Sequence, residues 1–548
     1  MKILLSFTLS LFLFIGNAQT TCDTVVNKIL MVGDSWSNFP VGFGSFENNL
    51  DRFGFTNIGM FSNTSNLSVN GAETHDFLTP SGKTAIQNAL TANPTIEIVN
   101  LSIGGNDILN NWNNSMDSIS TDSLLDATLK RVDSIIMNIE TMKPGIKVYV
   151  SGYDFANFGE VIQTFGFPTF HPFYNRWDGM GKPTFVEMNS LLSRASKKFE
   201  VLVNTYFHAY YKSPIGLMQY LYGQSTALGV APNGTYAAGT VPFPGGRLDY
   251  PTPKIRMNDY TAFIDCFHLD AEGYDMLYKY YFEEYYLGFL RGDVDFTITS
   301  QGNGKDGGVS STGNITSRRI TVGNNTATGI NKGIISFNTS TIATTPLHRG
   351  DIFLHRENQT GTLPSFNKVI LELKQGNLGT SVNIDLNDYS SLADAKDTAC
   401  VYGSLKENGF WLRIRIPNSM LSQINTSGIT QFRVSMIDTT DGNLFYFSTG
   451  DSLKKPFIDL EYYNPTSITK NTKKALPVLY PNPSNSGMIK ATNLSGFDGE
   501  IKAIDLTGRS IPLTYTNQGI DVSNLTAGSY FILFSDKKEQ FALKFVKL

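Results

Sequence analysis

A serine becomes a nucleophile only beside a base, and the base works only when a third group orients it. Ser35 in MVGDSWSNFP (31–40) closes an apolar run and follows a Gly-Asp pair. Three common residues such as Gly-Asp-Ser recur by chance in roughly one chain in seven of this length at average usage, so position must add to the motif. At the end of a buried strand and before a helix, the hydroxyl faces the site side of a sheet, and the amide N–H groups after it point at a developing anion. That is what acyl transfer needs.

Of the six histidines, His75, His171, His208 and His268 fall in the first half of the chain. His268 lies in IDCFHLDAEGYDML, three residues after Asp265, just before a final helix. A turn or first helical loop puts i and i+3 on one side, so the carboxylate can accept the imidazole Nδ1–H and leave Nε2 facing Ser35. The alternative is that Asp265 only caps the turn and His268 is a half-buried packing histidine. LSIGGNDIL (101–109) runs from a strand through two glycines to Asn106, whose amide suits an oxyanion hole; an Asn-Asp turn after glycines is the plainer reading. Gly71 in SVNGAETHDF offers a further backbone N–H. His75 stands close to Gly71, but a surface or core role fits it, His171 and His208 better.

The elements that would position these residues alternate along the chain. KILMVGD, IEIVNLSIGG, IKVYVSGYDF and EVLVNTYF are Val- and Ile-rich runs that predict strands buried on both faces. Leu125, Leu129, Val132, Ile136 and Ile139 trace one helix face, and FVEMNSLLSRASKKF predicts another helix. This rhythm implies βαβ units and an α/β parallel sheet covered on both sides, with its site beyond the strand C-termini. Residues 210–257, rich in Gly, Pro and Tyr, form either a substrate-covering insertion or a packed excursion.

Taken together, GDS, Gly71, GGND and DCFH resemble the ordered blocks of the SGNH (GDSL-type) hydrolases over about residues 28–291. The resemblance implies a three-layer flavodoxin-like fold and ester hydrolysis through an acyl-enzyme, with no metal or other cofactor. It assigns Ser35 as nucleophile, His268 as general base and then acid, and Asp265 as its orienting carboxylate. Ser35 N–H, Gly71 N–H and Asn106 would form the oxyanion hole. Trp36 departs from the family's leucine, and the block at Gly71 is loose.

Length and composition bound the rest. The 548 residues allow about three domains. A net charge of −4 and a pI near 5.9 provide no field for nucleic acid. KNTKK (470–474) reads as a solvated linker. Residues 1–18 read as a signal peptide cleaved after Ala18, with an apolar stretch too short for a bilayer span. No zinc-ligand spacing or H-E-x-x-H occurs, and Cys22, Cys266 and Cys400 allow one disulfide at most.

Two all-β domains are expected to follow the α/β domain. Residues 293–462, with short alternating runs such as KVILELKQ and FWLRIRI, predict a β-sandwich, either spacer or carbohydrate-binding. They loosely resemble DNRLRE-type modules found beside secreted carbohydrate-active enzymes; Trp411, Tyr389 and Tyr446 are the aromatics that a glycan-binding face could use. A linker spans 463–475. Residues 476–548, with LYPNPSNSG, AIDLTGR, DVSNLTAGSYFI and KFVKL, resemble the C-terminal sorting domain of type IX secretion substrates in Bacteroidetes. That implies the type IX machinery as a partner and a secreted or outer-surface location. The expectation is a secreted serine esterase, first a deacetylase of acylated polysaccharide, alternatively a lipase or thioesterase on longer acyl chains. From another class, an inactive surface adhesin remains as the rival.

Overall fold

The computed structural model describes residues 22–462 and 479–547, apart from 207, 293, 343–345, 362–366, 406, 438–441, 481, 483, 492–498, 506–508, 517–518 and 536–539. The signal-peptide and linker readings lie outside the described residues. Two compact units emerge: one comprises the described residues of 1–24, 51–55 and 293–463, the other those of 25–50, 56–292 and 464–548.

In the second unit, five strands build a wholly parallel sheet: β1 (Val26–Gly33), β2 (Ile58–Phe61), β3 (Ile98–Ser102), β4 (Lys147–Val150) and β5 (Ala209–Tyr211). Their order is β2-β1-β3-β4-β5, the flavodoxin-like winding whose direction reverses between β1 and β3. Alternation along each strand sends side chains to two different cores. Leu30, Val32, Val99, Leu101, Val148 and Val150 enter one cluster. There they meet Ile86 and Leu90 of α3 (Pro80–Ala92), Val132 and Ile136 of α5 (Ser118–Met142), and Phe199 and Val203 of α8 (Phe185–Val203).

The opposite face is aromatic. Tyr149 packs on Tyr281, Tyr285 and Tyr286 at centroid distances of 5.0–5.2 Å. Phe46 of α2 (Ser45–Arg52) meets Tyr278 and Tyr286 edge-on. Asn100, the polar residue of this face, is satisfied by the Tyr286 hydroxyl at 2.8 Å and by Tyr278 at 3.4 Å. Helix α10 (Ala271–Tyr281) and the π turn at Phe282–Tyr286 supply these rings. The result is the expected three layers, helix on sheet on helix.

One predicted strand is wrong. EVLVNTYF does not form the fifth strand, because α8 continues to Val203. A capping box between Thr184 and Glu187 starts that helix, and Phe199 and Val203 extend its buried face at i, i+4, so propagation overrides the β-like composition. The strand is the three-residue β5 that follows. The Gly/Pro/Tyr-rich stretch after it proves to be a packed excursion. Asn189 Nδ2 donates to the carbonyls of Leu248 and Tyr250, and Gln219 Nε2 to those of Tyr250 and Pro251.

The other unit is all β. Twelve strands join in one network, antiparallel in every pairing given, around a core that includes Ile335, Leu354, Leu371, Leu412, Phe432 and Ile458. Cys22 pairs with Cys400, leaving Cys266 as a buried thiol. Trp411 packs on His355 and Phe457, Tyr389 lies under Lys332, and Tyr446 lies under Arg319. All three aromatics are half-buried against their own unit. In the second unit, seven antiparallel strands between Leu479 and Lys547 form a separate C-terminal sheet over a core of Ile501, Ile520, Ile532 and Phe534. No helix among the described residues is long and apolar enough to cross a membrane.

Ile136 stands at the centre of the α5–sheet contact and is fully buried. Ile136→Ala is expected to destabilise the α/β region by about 2–5 kcal/mol, read as a lower urea midpoint at unchanged denaturant slope.

Candidate active site

The site lies beyond the C-terminal ends of β1 and β3, at the reversal of strand order where such sheets open a crevice. Gly33 ends β1 against β3. A Cβ there would stand 1.9 Å from the Ser102 carbonyl oxygen, so only glycine allows this approach. Asp34 N–H then donates to Ser102 O at 2.8 Å, and Asp34 caps α1 (Ser35–Gly42) by accepting from Trp36 N–H at 2.9 Å. Ser35 is therefore the first residue of a helix, where backbone N–H groups have no intrahelical acceptor.

His268 comes from the far end of the α/β region. Asp265 and His268 were expected on a turn or first helical loop, yet they stand on β7 (Ile264–Leu269), which pairs with β6 (Met257–Asp259). A flat strand would send i and i+3 to opposite faces. The pairing is bulged: Met257 opposes Leu269 and Asp259 opposes Ile264, so the β7 side carries the extra residues. Within the bulge, Asp265 Oδ1 accepts from Phe267 N–H at 2.9 Å and from His268 N–H at 3.0 Å. Its Oδ2 meets His268 Nδ1 at 2.8 Å. The remaining ring nitrogen, Nε2, lies 2.7 Å from Ser35 Oγ. All three residues are buried.

Asn106 begins on the first turn of α4 (Gly105–Asn111), directly after β3. Its Nδ2 donates to Ala72 O at 3.0 Å, which leaves that amide a second N–H. Gly71, the residue before, is exposed. Its loop runs beside the nucleophile turn, with Val69 N–H donating to Gly33 O and Asn38 Nδ2 to Asn70 Oδ1. Asp107 ties the two donor-bearing segments together: Oδ2 accepts from Thr74 N–H at 2.8 Å, and Oδ1 from Thr74 Oγ1 at 2.5 Å and from Arg131 Nη2 at 2.9 Å. The structure thus brings Ser35, Asp265, His268 and Asn106 together, with the Gly71 loop held alongside.

The other histidines stay outside. His75 is exposed between Glu73 and Asp76, His171 Nε2 contacts Ile264 O at 3.1 Å, and His208 is half-buried beside β5. Among the described residues, no cluster of three or more His, Cys, Asp or Glu has the arrangement of a metal site.

Two residues went unnoticed in the sequence. Phe39 stacks on the His268 ring at 4.3 Å and 13°; its signal was the i, i+4 spacing from Ser35 on α1. Tyr153, four residues short of Asn157 in the loop after β4, donates its hydroxyl to Asp34 Oδ2 at 2.5 Å and accepts from Gly105 N–H at 3.0 Å. It bridges the nucleophile turn to α4. Trp36 stands edge-on to Tyr153 and Tyr274. A pocket opens beside Ser35 and Asn106, walled by Leu109, Ala156, Leu192 and Phe267.

Burial raises the Asp34 carboxyl from 3.8 to about 7, against the lowering effect of the Tyr153 and Trp36 hydrogen bonds, and nearby Asp107 adds to the rise. The folded state then holds a proton that the unfolded chain releases. This contribution is fully present below about pH 4 and is lost as pH rises through about 7. Asp34→Asn is expected to shrink the fall in thermal midpoint between pH 4 and 8, measured by calorimetry; an unchanged slope would exclude Asp34 as its source.

Residues 478–548 match the family model of the secretion system C-terminal sorting domain. That tail marks the chain for export to the cell surface or beyond it. No curated protein matches the chain. Among solved structures, the chain is similar to a family 3 carbohydrate esterase from Clostridium thermocellum at 14% identity, covering 49% of this chain and 98% of that one, TM-score 0.23. A GDSL-like lipase from Bacteroides thetaiotaomicron is 14% identical over 47% and 88%, TM-score 0.25. Phospholipase A1 from Streptomyces albidoflavus is 15% identical over 48% and 99%, TM-score 0.26.

Proposed function

We propose that the protein is an exported serine ester hydrolase that works through an acyl-enzyme. The observation that carries this reading is the 2.7 Å contact between Ser35 Oγ and His268 Nε2, with Asp265 on the other ring nitrogen. Ser35 Oγ bonds to the ester carbonyl carbon while its proton passes to Nε2, and the carbonyl π pair moves onto oxygen. Ser35 N–H, Gly71 N–H and the second Asn106 N–H receive that charge. The adduct collapses, the C–O bond to the alcohol breaks, and the alcohol takes the proton from Nε2. Water then gives a proton to Nε2 as its oxygen bonds to the acyl carbon; the C–Oγ bond breaks, Nε2 returns the proton to Ser35 Oγ, and the acid leaves. Asp265 accepts from Nδ1–H throughout, which fixes the tautomer and stabilises the imidazolium.

Acetyl esters of polysaccharide are the first substrate reading, in keeping with export and with the appended β module. A second reading, longer acyl chains, is favoured by the apolar walls Leu109, Ala156 and Leu192 beside the nucleophile. An adhesin with an idle site has no need for a buried, fully hydrogen-bonded line of three polar side chains.

Nitrophenyl esters of rising acyl length test both. Ser35→Ala is expected to lose about 10⁴-fold or more in kcat, Asp265→Asn about 10⁴-fold, and Asn106→Ala about 100–1000-fold. Equal turnover by wild type and Ser35→Ala would reject the mechanism. Acetyl preferred over octanoyl supports the polysaccharide reading; the reverse supports the lipase reading.

A further inference from the structure

If Ser35 and His268 act as above, the departing alcohol must lie on the histidine side, because Nε2 supplies its proton. The acyl chain is left the part of the pocket walled by Leu109 and Leu192, with Phe267 bordering both parts. What lies beside His268 therefore meets the alcohol half of the substrate. Phe39 covers one face of the ring, and Phe267 stands at 4.2 Å.

From Phe267 a file of rings leads outward. Phe173 lies 5.2 Å from Phe267, Phe263 lies 6.1 Å from Phe173, and Tyr260 lies 4.9 Å from Phe263. Phe267, Phe173 and Phe263 are half-buried, Phe267 and Phe173 against the core below them, and Tyr260 is 43% exposed at the tip of the β6–β7 hairpin. Phe167 and Phe170, six and three residues before Phe173 in sequence, meet edge-to-face at 73% and 80% exposure. Scattered exposed apolar residues need no explanation, whereas a contiguous strip marks a binding surface.

We propose that this strip is a subsite for sugar rings, binding the polysaccharide that carries the scissile ester. A pyranose offers its C–H face to an aromatic ring and its hydroxyls to polar neighbours. The file supplies successive rings 4.9–6.1 Å apart, and the exposed Tyr260 at its end adds a hydroxyl. A membrane surface fits less well, since interfacial binding draws on cations around the apolar face. Residues 163–173 contain no charged residue, and the hairpin tip carries Asp259. Lys254 is engaged at the base of the segment, donating to Thr164 Oγ1 at 2.9 Å beside Glu160.

The subsite rests on the esterase reading for its orientation, so binding and turnover are measured separately on the full chain. In affinity electrophoresis, Ser35→Ala protein should be retarded by at least one of acetylated xylan, acetylated glucomannan and acetylated pectin, and adding Tyr260→Ala with Phe263→Ala should abolish that retardation. In turnover, the same aromatic pair, with a wild-type thermal midpoint, should raise KM for the retained polymer by about tenfold or more and leave kcat/KM for nitrophenyl acetate within about twofold. Phe167→Ser with Phe170→Ser, at exposed positions, provides the second variant and should weaken polymer retardation. Retardation by none of the polymers, retention unchanged in the variants, equal losses on polymer and nitrophenyl acetate, or losses confined to phosphatidylcholine–phosphatidylglycerol vesicles would each overturn the subsite. Absence of any ester turnover by wild type would instead overturn the esterase reading, while the electrophoresis still reports on the strip.

Discussion

A carboxylate taken out of water must find donors for its oxygens, because an unpaired buried charge costs several kcal/mol. Asp265 meets this demand with three: the N–H groups of Phe267 and His268, and His268 Nδ1. The two backbone donors can reach one oxygen only if β7 departs from flat pairing, and the bulge against β6 is that departure. The same bend turns the imidazole to the carboxylate's side and aims Nε2 at Ser35. Satisfying one buried acid thus sets the strand's shape, the ring's orientation and the reactive contact together. Phe39, stacked flat on the imidazole, limits its remaining rotation.

The other half of the site depends on the sheet. Parallel strands deliver the turns after β1 and β3 to the same edge, and the winding reverses between them, so α1 and α4 splay apart and leave a crevice. Tyr153 spans it, bonded to Asp34 on one side and to Gly105 on the other. Asp107 binds the segment after Gly71 to α4 through Thr74, with Arg131 closing the network. The three segments that carry the proposed oxyanion donors are therefore tied by polar bonds as well as by loop packing, which is the preorganisation the proposed stabilisation requires.

Much of this was legible in the residues. The i, i+3, i+4 run from Leu125 to Ile139 specified α5, and strand runs ending in GDS and GGND located Ser35 and Asn106 at one edge. Where the reading failed, longer-range physics decided. Glu200–Val203 has β-like composition, but a helix begun at Thr184 gains more by continuing its buried face. The bulge at Asp265 leaves no trace in hydrophobic periodicity, since it answers to a carboxylate's need for donors. Tyr153 and Asp107 act through partners more than twenty residues away in sequence, which no local pattern reports. Phe263 and Phe173 carry no sequence signal beyond apolar character and are half-buried, and of this file only Tyr260 is set apart from core aromatics by exposure.

Charge around the nucleophile follows from the same geometry. The α1 N-terminus, with its orphan N–H groups, favours negative charge, and both the Asp34 carboxylate and a developing oxyanion would occupy it. An ionised Asp34 there partly uses the field that the oxyanion needs. Burial raises Asp34 to about 7, so its charge is only partial near neutral pH, and the hydroxyl of Tyr153 and the N–H of Trp36 absorb what charge remains. Asp265, on the far side of His268, carries three donors and faces the imidazolium that forms beside it. Two buried acids thus flank one serine: in the proposed mechanism one is matched to the cation, and the other is muted where the anion would form.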